Sequence, residues 1–325
     1  MKERDADLGE LVEELSAIGR RVRDVVRRGS RSDDDDRVVR VEGGDHIFGV
    51  DDRADRTVLA GFEGLAARWG GSLIMEGYDQ PVPVGGAQGS GAWRYLVDPV
   101  DGTRPYLAGK RSAWVLIGAG REARTLEDLE VSVAVEIPTD QGAYGLVAGA
   151  IRHGGVRAFR DDLITGSAPV ETVLRPRSGA DLDHVFVTVV RFAPGHHEAI
   201  GRWQDELLGD LQVFDDLVPC TGGQMMGLAT GADAAVFDPR PLLAPGSLAA
   251  HPYDLAALVI AREAGVTIEA LPPGPLDVPL DTVTPVAWAG YANPAIRASF
   301  TPDQLGAAVS RPRPAGGRQS RGPRC

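Results

Sequence analysis

Asp98, Asp101 and Thr103 stand close together in the run Trp93-Arg94-Tyr95-Leu96-Val97-Asp98-Pro99-Val100-Asp101-Gly102-Thr103. Leu96 and Val97 suit a short buried strand, Pro99 cannot continue a hydrogen-bonded ladder, and Gly102 permits a sharp turn. Both carboxylates are therefore expected to emerge together at the strand's end. Carboxylates held side by side repel, and the simplest remedy is a hard divalent cation with oxygen ligands. Thr103 adds a hydroxyl beside the pair. The backbone N–H groups of Gly102 and Thr103 are candidate phosphate donors if the turn opens a helix or a nest. The chemistry so outlined is that of a hard-cation, phosphate-facing site.

The elements that must position these groups follow from periodicity. Residues 5 to 28 place Leu8, Leu11, Leu15, Ile18 and Val22 at three- and four-residue spacings, with Glu early and Arg late, an amphipathic helix aligned with its dipole. Residues 45 to 50 suit a strand entering a second helix over 52 to 68, where Asp51 or Asp52 can cap the helix start. After the turn at Gly70-Gly71, a strand over 72 to 75 delivers Glu76. Segments 114–119, 130–137 and 143–148 run apolar and β-branched, as antiparallel strands of one sheet do, and the less periodic 149–180 suits edge strands. A strand over 185–190, a helix over 195–208, a helix opening at Thr221, a strand over 234–238 and a helix over 255–264 stopped by Gly265 complete the pattern. His196-His197 lacks the i, i+4 spacing of helical metal ligands and suits surface or capping roles. Lys110 and Arg111 could face an anion, although a solvated loop accounts for them as simply. Asp33 to Asp36 suits a solvated loop, and the segment from Ser310 to Cys325, with five Arg, three Pro, three Gly and no acid, has the composition of a disordered tail.

Asp98-Pro99-Val100-Asp101-Gly102-Thr103 resembles the Asp-Pro-(Ile/Leu/Val)-Asp-Gly-Thr signature of the inositol monophosphatase family, within the larger group that includes fructose-1,6-bisphosphatases and nucleotide 3'-phosphatases. A second family signature, an aromatic-Asp pair before a helix ending in Glu-Ala-Gly, is matched by Tyr253-Asp254 and Glu263-Ala264-Gly265. Glu76 matches the family's metal-binding Glu. The resemblance implies a layered αβαβα sandwich, α+β or α/β in class. It divides the chain into 1–165 with most metal ligands, 166–305 with Asp254 and the substrate-facing residues, and a basic tail over 306–325. The implied activity is Mg2+-dependent hydrolysis of an inositol, cyclitol or sugar phosphate monoester by a metal-activated water. The implied ligands of two or three Mg2+ ions are Glu76, Asp98, the carbonyl of Val100, Asp101 and Asp254.

By the same resemblance, Asp51, Thr103 and Glu76 are catalytic, with Asp51 and Thr103 orienting the water. Gly102 and Thr103 would bind phosphate, and Asp238, Thr221 and Gly222 would contact substrate. Asp52 replaces Asp51 if the register slips by one. The chain departs from the family pattern at Gly77, where a second acid is usual, at Arg104-Pro105-Tyr106, and in the long segment 239–250. Activity on fructose-1,6-bisphosphate or a nucleotide 3'-phosphate stays open, as does a catalytically silent regulator that binds sugar phosphates.

With 325 residues, 43% hydrophobic and 25% charged, the composition is that of a soluble globular protein, and no run of eighteen apolar residues suggests a membrane span. The charged N-terminus has no signal-peptide pattern, and Cys220 and Cys325 cannot build a disulfide framework, so a cytoplasmic location is the expectation. A net charge of −12 argues against a nucleic acid duplex as partner. The same acidity suits a site that fills with divalent cations before a small phosphate ester can enter. A homodimer is implied by the resemblance alone.

Overall fold

The computed structural model describes residues 2–29, 37–42, 45–85, 92–216 and 220–306. The Asp33 to Asp36 run and the basic tail lie outside the described residues. An antiparallel pair, β1 (Val38–Glu42) and β2 (Asp45–Phe48), precedes a large mixed sheet. That sheet comprises β3 (Gly71–Met75), β4 (Val82–Val84), β5 (Trp93–Asp101), β6 (Ala113–Arg121), β7 (Val131–Ile137), β8 (Tyr144–Ile151), β9 (Gly155–Asp162) and β10 (Val170–Thr172). Its order is β10-β9-β8-β7-β6-β5-β3-β4. A smaller sheet of β11 (Phe186–Val189), β12 (Asp233–Asp238), β13 (Thr267–Ala270) and β14 (Trp288–Tyr291) runs β11-β12-β14-β13.

Helices fill the layers around the two sheets. α1 (Lys2–Gly29) and α2 (Gly49–Trp69) cover one face of the large sheet. The short α3 (Thr103–Leu107) follows β5, and α4 (His197–Leu208) covers the outer face of the small sheet, where Trp203 meets the edge of Phe237. α5 (Thr221–Thr230), then α6 (Arg240–Leu243) and α7 (Leu258–Glu263) come next in the chain, with α5 and α7 lying between the sheets. The result is the layered αβαβα sandwich expected.

The outer helix layer is held by an apolar stripe and a polar pin. Leu11, Leu15, Ile18 and Val22 of α1 are wholly buried, each contributing about 1.5–3 kcal/mol by leaving water. Gly19 lets the helix approach β7 closely, since a Cβ there would stand 2.6 Å from Val135 Cγ2. The pin is Asp161 of β9, which accepts from Arg20 Nε at 2.8 Å and from Arg23 Nη1 at 2.8 Å.

β5 does not stop at Pro99 as expected. Asp98 pairs with Leu116 and Asp101 with Trp114, so β5 holds one more residue than β6 across this stretch. That irregularity accommodates the proline. It also decides where the acids point. In a regular strand, residues three apart face opposite sides of the sheet, whereas one extra residue returns Asp101 to the side of Asp98.

Candidate active site

Three neighbouring elements bring the acids together. β3 runs parallel to β5 with Met75 opposite Val97, and the Glu76 N–H donates to the Val97 carbonyl at 3.2 Å, so Glu76 leaves its strand beside Asp98. Gly77 then adopts φ +79°, a conformation that favours glycine, which gives a physical reason for the missing second acid. Asp254 arrives on a 3₁₀ turn, Pro252–Leu255, where its Oδ2 accepts from the His251 N–H at 2.6 Å. One carboxylate oxygen from each of Asp98, Asp101 and Asp254 lies within 4.8 Å of the others. Glu76 lines the same cleft but stands outside that trio.

Asp101 is held from behind. Its Oδ2 accepts from the N–H groups of Gly222 at 2.7 Å and Gly223 at 3.2 Å, both at the start of α5, and from the Cys220 thiol at 3.2 Å. The carboxylate thus caps α5 with one oxygen. Asp98 Oδ1 accepts from the Val100 N–H at 3.0 Å. Gly102 turns the chain at φ +91° and passes so close to Cys220 that a Cβ would lie 2.9 Å from its sulfur.

Asp51 caps its helix and also meets Thr103. Its Oδ2 accepts from the Phe48 N–H at 2.8 Å, capping α2, while its Oδ1 lies 2.9 Å from the Thr103 hydroxyl. The same hydroxyl is 2.9 Å from the Val100 carbonyl oxygen. Asp52 instead pairs with Arg56 at 2.5 Å on the exposed side of the helix.

Burial, reinforced by neighbouring negative charge, pushes the carboxyls of Glu76, Asp98 and Asp254 well above the usual range. Burial also raises Asp101, but hydrogen bonds from Cys220 and the α5 amides restrain it to about 6. Burial and the adjoining Asp101 raise the Cys220 thiol in turn. The donor set is all oxygen and convergent. These residues fit hard divalent cations.

Two expected substrate contacts lie elsewhere. Asp238 is completely buried at the end of β12, with both oxygens engaged by Arg240, which lines the cleft in its place. The Gly222 N–H is occupied by Asp101, while Thr221 does line the cleft. Lys110 and Arg111 border a separate groove behind α5, where Arg111 pairs with Asp216. His196 and His197 sit at the start of α4, away from the cleft. Sequence reasoning did not single out Arg240, His251, Phe192 or Cys220, all of which touch the cleft or its ligands. Their roles come from contacts between distant segments, as when Cys220 meets Asp101, so local spacing carried no signal for them.

Comparison with known proteins supports the resemblance read from the two signatures. The chain is 27% identical over 269 residues to a probable inositol 1-monophosphatase, ImpA, of Mycobacterium tuberculosis, covering 82% of this chain and 86% of that protein. No family model matches. Fructose-1,6-bisphosphatase of Leishmania major superposes with a TM-score of 0.69 at 14% identity, over 92% of this chain and 93% of the other. The fold is that of inositol monophosphatase and fructose-1,6-bisphosphatase structures. The extragenic suppressor protein suhB of Bartonella henselae superposes with a TM-score of 0.65 at 16% identity, over 93% and 99% of the two chains. Inositol monophosphatase from Anabaena (Nostoc) sp. PCC 7120 gives 0.57 at 14% identity, over 93% and 96%.

Proposed function

We propose that the chain hydrolyses a phosphate monoester of the inositol, cyclitol or sugar class in a Mg2+-dependent reaction. The observation that carries this reading is the convergence of Asp98, Asp101 and Asp254 beside the Asp51–Thr103 hydrogen bond in one cleft. Glu76, Asp98, the Val100 carbonyl, Asp101 and Asp254 would hold two or three Mg2+ ions, which supply Lewis-acid stabilisation of phosphoryl charge and lower the pKa of water.

The chain's own groups manage the proton and the phosphate. Thr103 and Asp51 form a relay that can take a proton from water as its oxygen bonds to phosphorus and the ester P–O bond breaks. The proton passes to the hydroxyl oxygen as the hydroxyl gives its own to Asp51, and the departing alcohol oxygen takes up a proton from solvent. Backbone N–H groups of Gly102 and Thr103, on the cleft wall, would orient the phosphate without adding charge that titrates. Water is the nucleophile, so no side chain is phosphorylated.

Release of inorganic phosphate from a panel of inositol and sugar phosphates, with Mg2+ and with a chelator, tests this directly. Mg2+-dependent release supports the reading, and a panel with none turned over would overturn it. No described helix is long and apolar enough to cross a membrane. A cytoplasmic homodimer completes the proposal, and light scattering near the monomer mass of 34.4 kDa would refute the dimer.

A further inference from the structure

Asp238 is in no position to read substrate hydroxyls. Its Oδ1 accepts from Arg240 Nε at 2.8 Å and from the Arg240 backbone N–H at 3.2 Å, and its Oδ2 accepts from Arg240 Nη2 at 2.6 Å. Arg240 Nη1 donates to the Leu248 carbonyl at 2.8 Å, so the guanidinium is fixed on two sides. A guanidinium has five N–H donors and no acceptor, and these bonds use three of the five. Locked in plane by Asp238 and Leu248, it would lose little conformational freedom on meeting a ligand.

Outside the acid cluster, the wall carries one more guanidinium. Arg104, an exposed residue, lines the cleft as well, next to the phosphate-facing turn. Partial desolvation lowers its pKa, yet an arginine stays charged in any aqueous buffer. Phe192 and Leu248 add apolar surface. A neutral polyol needs acceptors as well as donors for its hydroxyls, and the acid expected to accept from them is spent on Arg240.

We infer, resting on the phosphatase reading of this cleft, that Arg240 and Arg104 recognise a second anionic group on the leaving alcohol, a carboxylate or a further phosphate. Such groups accept charge-assisted, bidentate hydrogen bonds from guanidinium, which a hydroxyl cannot do. The preferred substrate is then a phosphorylated acid or a bisphosphate, and Asp238 serves to position Arg240.

Matched substrate pairs test this with Mg2+ present. Glycerol 3-phosphate and 3-phosphoglycerate differ by one CH2OH-to-carboxylate change, and glucose 6-phosphate and glucose 1,6-bisphosphate differ by one phosphate. The expected result is a kcat/KM at least tenfold higher for the anion-bearing member of one pair, and which pair responds identifies the anion. The preference should fall toward one in Arg104→Gln, and in Arg240→Met combined with Asp238→Asn, a double change that leaves no lone buried charge. A ratio measured within one preparation does not depend on the fraction folded. Wild-type ratios below ten in both pairs, or ratios unmoved in both variants, overturn the inference while phosphate release itself still supports a phosphatase. Absence of release from every ester overturns the phosphatase reading and this inference with it.

Discussion

Replacing Asp101 by Asn separates the fold's need for an oxygen from the site's need for a charge. Asp101 Oδ2 faces three donors, the N–H groups of Gly222 and Gly223 and the Cys220 thiol. An amide NH2 in that place would leave them unsatisfied at about 1–3 kcal/mol each, so the Asn oxygen must turn toward α5 and its NH2 toward the cleft. Exchanging charge-assisted for neutral bonds costs about 1 kcal/mol. Against this, wild-type Asp101 is raised from 3.8 to about 6, which at neutral pH is a burden on the metal-free fold on the order of 3 kcal/mol that Asn does not carry. Metal-free Asp101→Asn should therefore melt at the wild-type temperature or a few degrees above it. In the cleft, however, a donor replaces a proposed ligand, so Mg2+ should no longer raise the Tm, and phosphate release should fall more than about a hundredfold. Calorimetry with and without Mg2+, paired with a phosphate assay, reads both. Melting more than about 8 °C below wild type in chelator, or activity within tenfold of wild type at saturating Mg2+, would refute the reasoning.

Thr103→Ala removes the hydroxyl next to Asp51 and should lower kcat about 10²–10⁴-fold while Mg2+ still raises the Tm; loss of the Mg2+ response would show that Thr103 holds the cations instead. Glu76, Asp98, Asp101 and Asp254 have raised folded pKa values, so metal-free stability falls as pH climbs from the ordinary carboxylate range toward those values. Mg2+ held as proposed would bind the ionised forms, so the Tm increment it gives should grow between about pH 5 and pH 7.5, and an equal increment at both would contradict the assignment. Burial alone would raise Asp161, but hydrogen bonds from Arg20 and Arg23 outweigh it and hold its carboxyl below the usual range. Its contribution to stability is present above pH 4 or so and is lost as pH falls through that lowered value. Asp161→Asn, which leaves the buried Arg23 only the neighbouring Asp24 as an anionic partner, should cost about 3 kcal/mol in urea unfolding at pH 7, and a loss under about 1 kcal/mol would show the pin to be dispensable.

Much of this was legible in the chain itself because the relevant signals are local. The α1 stripe lies at helical spacing, and the two motifs carry Asp98, Asp101 and Asp254, which the fold brings together even though β5 runs on through Asp101. The extra residue in β5 was not legible, since it is defined only by pairing with β6. Asp238 was misplaced for a related reason. An Asp two residues before an Arg reveals nothing about direction until α6 folds the guanidinium back over the strand end. Gly222 suited a substrate-contacting turn, yet its N–H was already committed to an acid 121 residues earlier in the chain.

Mg2+ titration of the wild-type protein and of Asp98→Asn by isothermal calorimetry, with phosphate release followed on the same samples, tests the central claim most directly. Asp98 is almost wholly buried within the acid trio, and an amide there cannot supply the charged oxygen that a hard cation requires. The account predicts saturable Mg2+ binding and Mg2+-dependent phosphate release in the wild type, with both lost in a folded Asp98→Asn. Phosphate release by Asp98→Asn at the wild-type rate under saturating Mg2+ would contradict it.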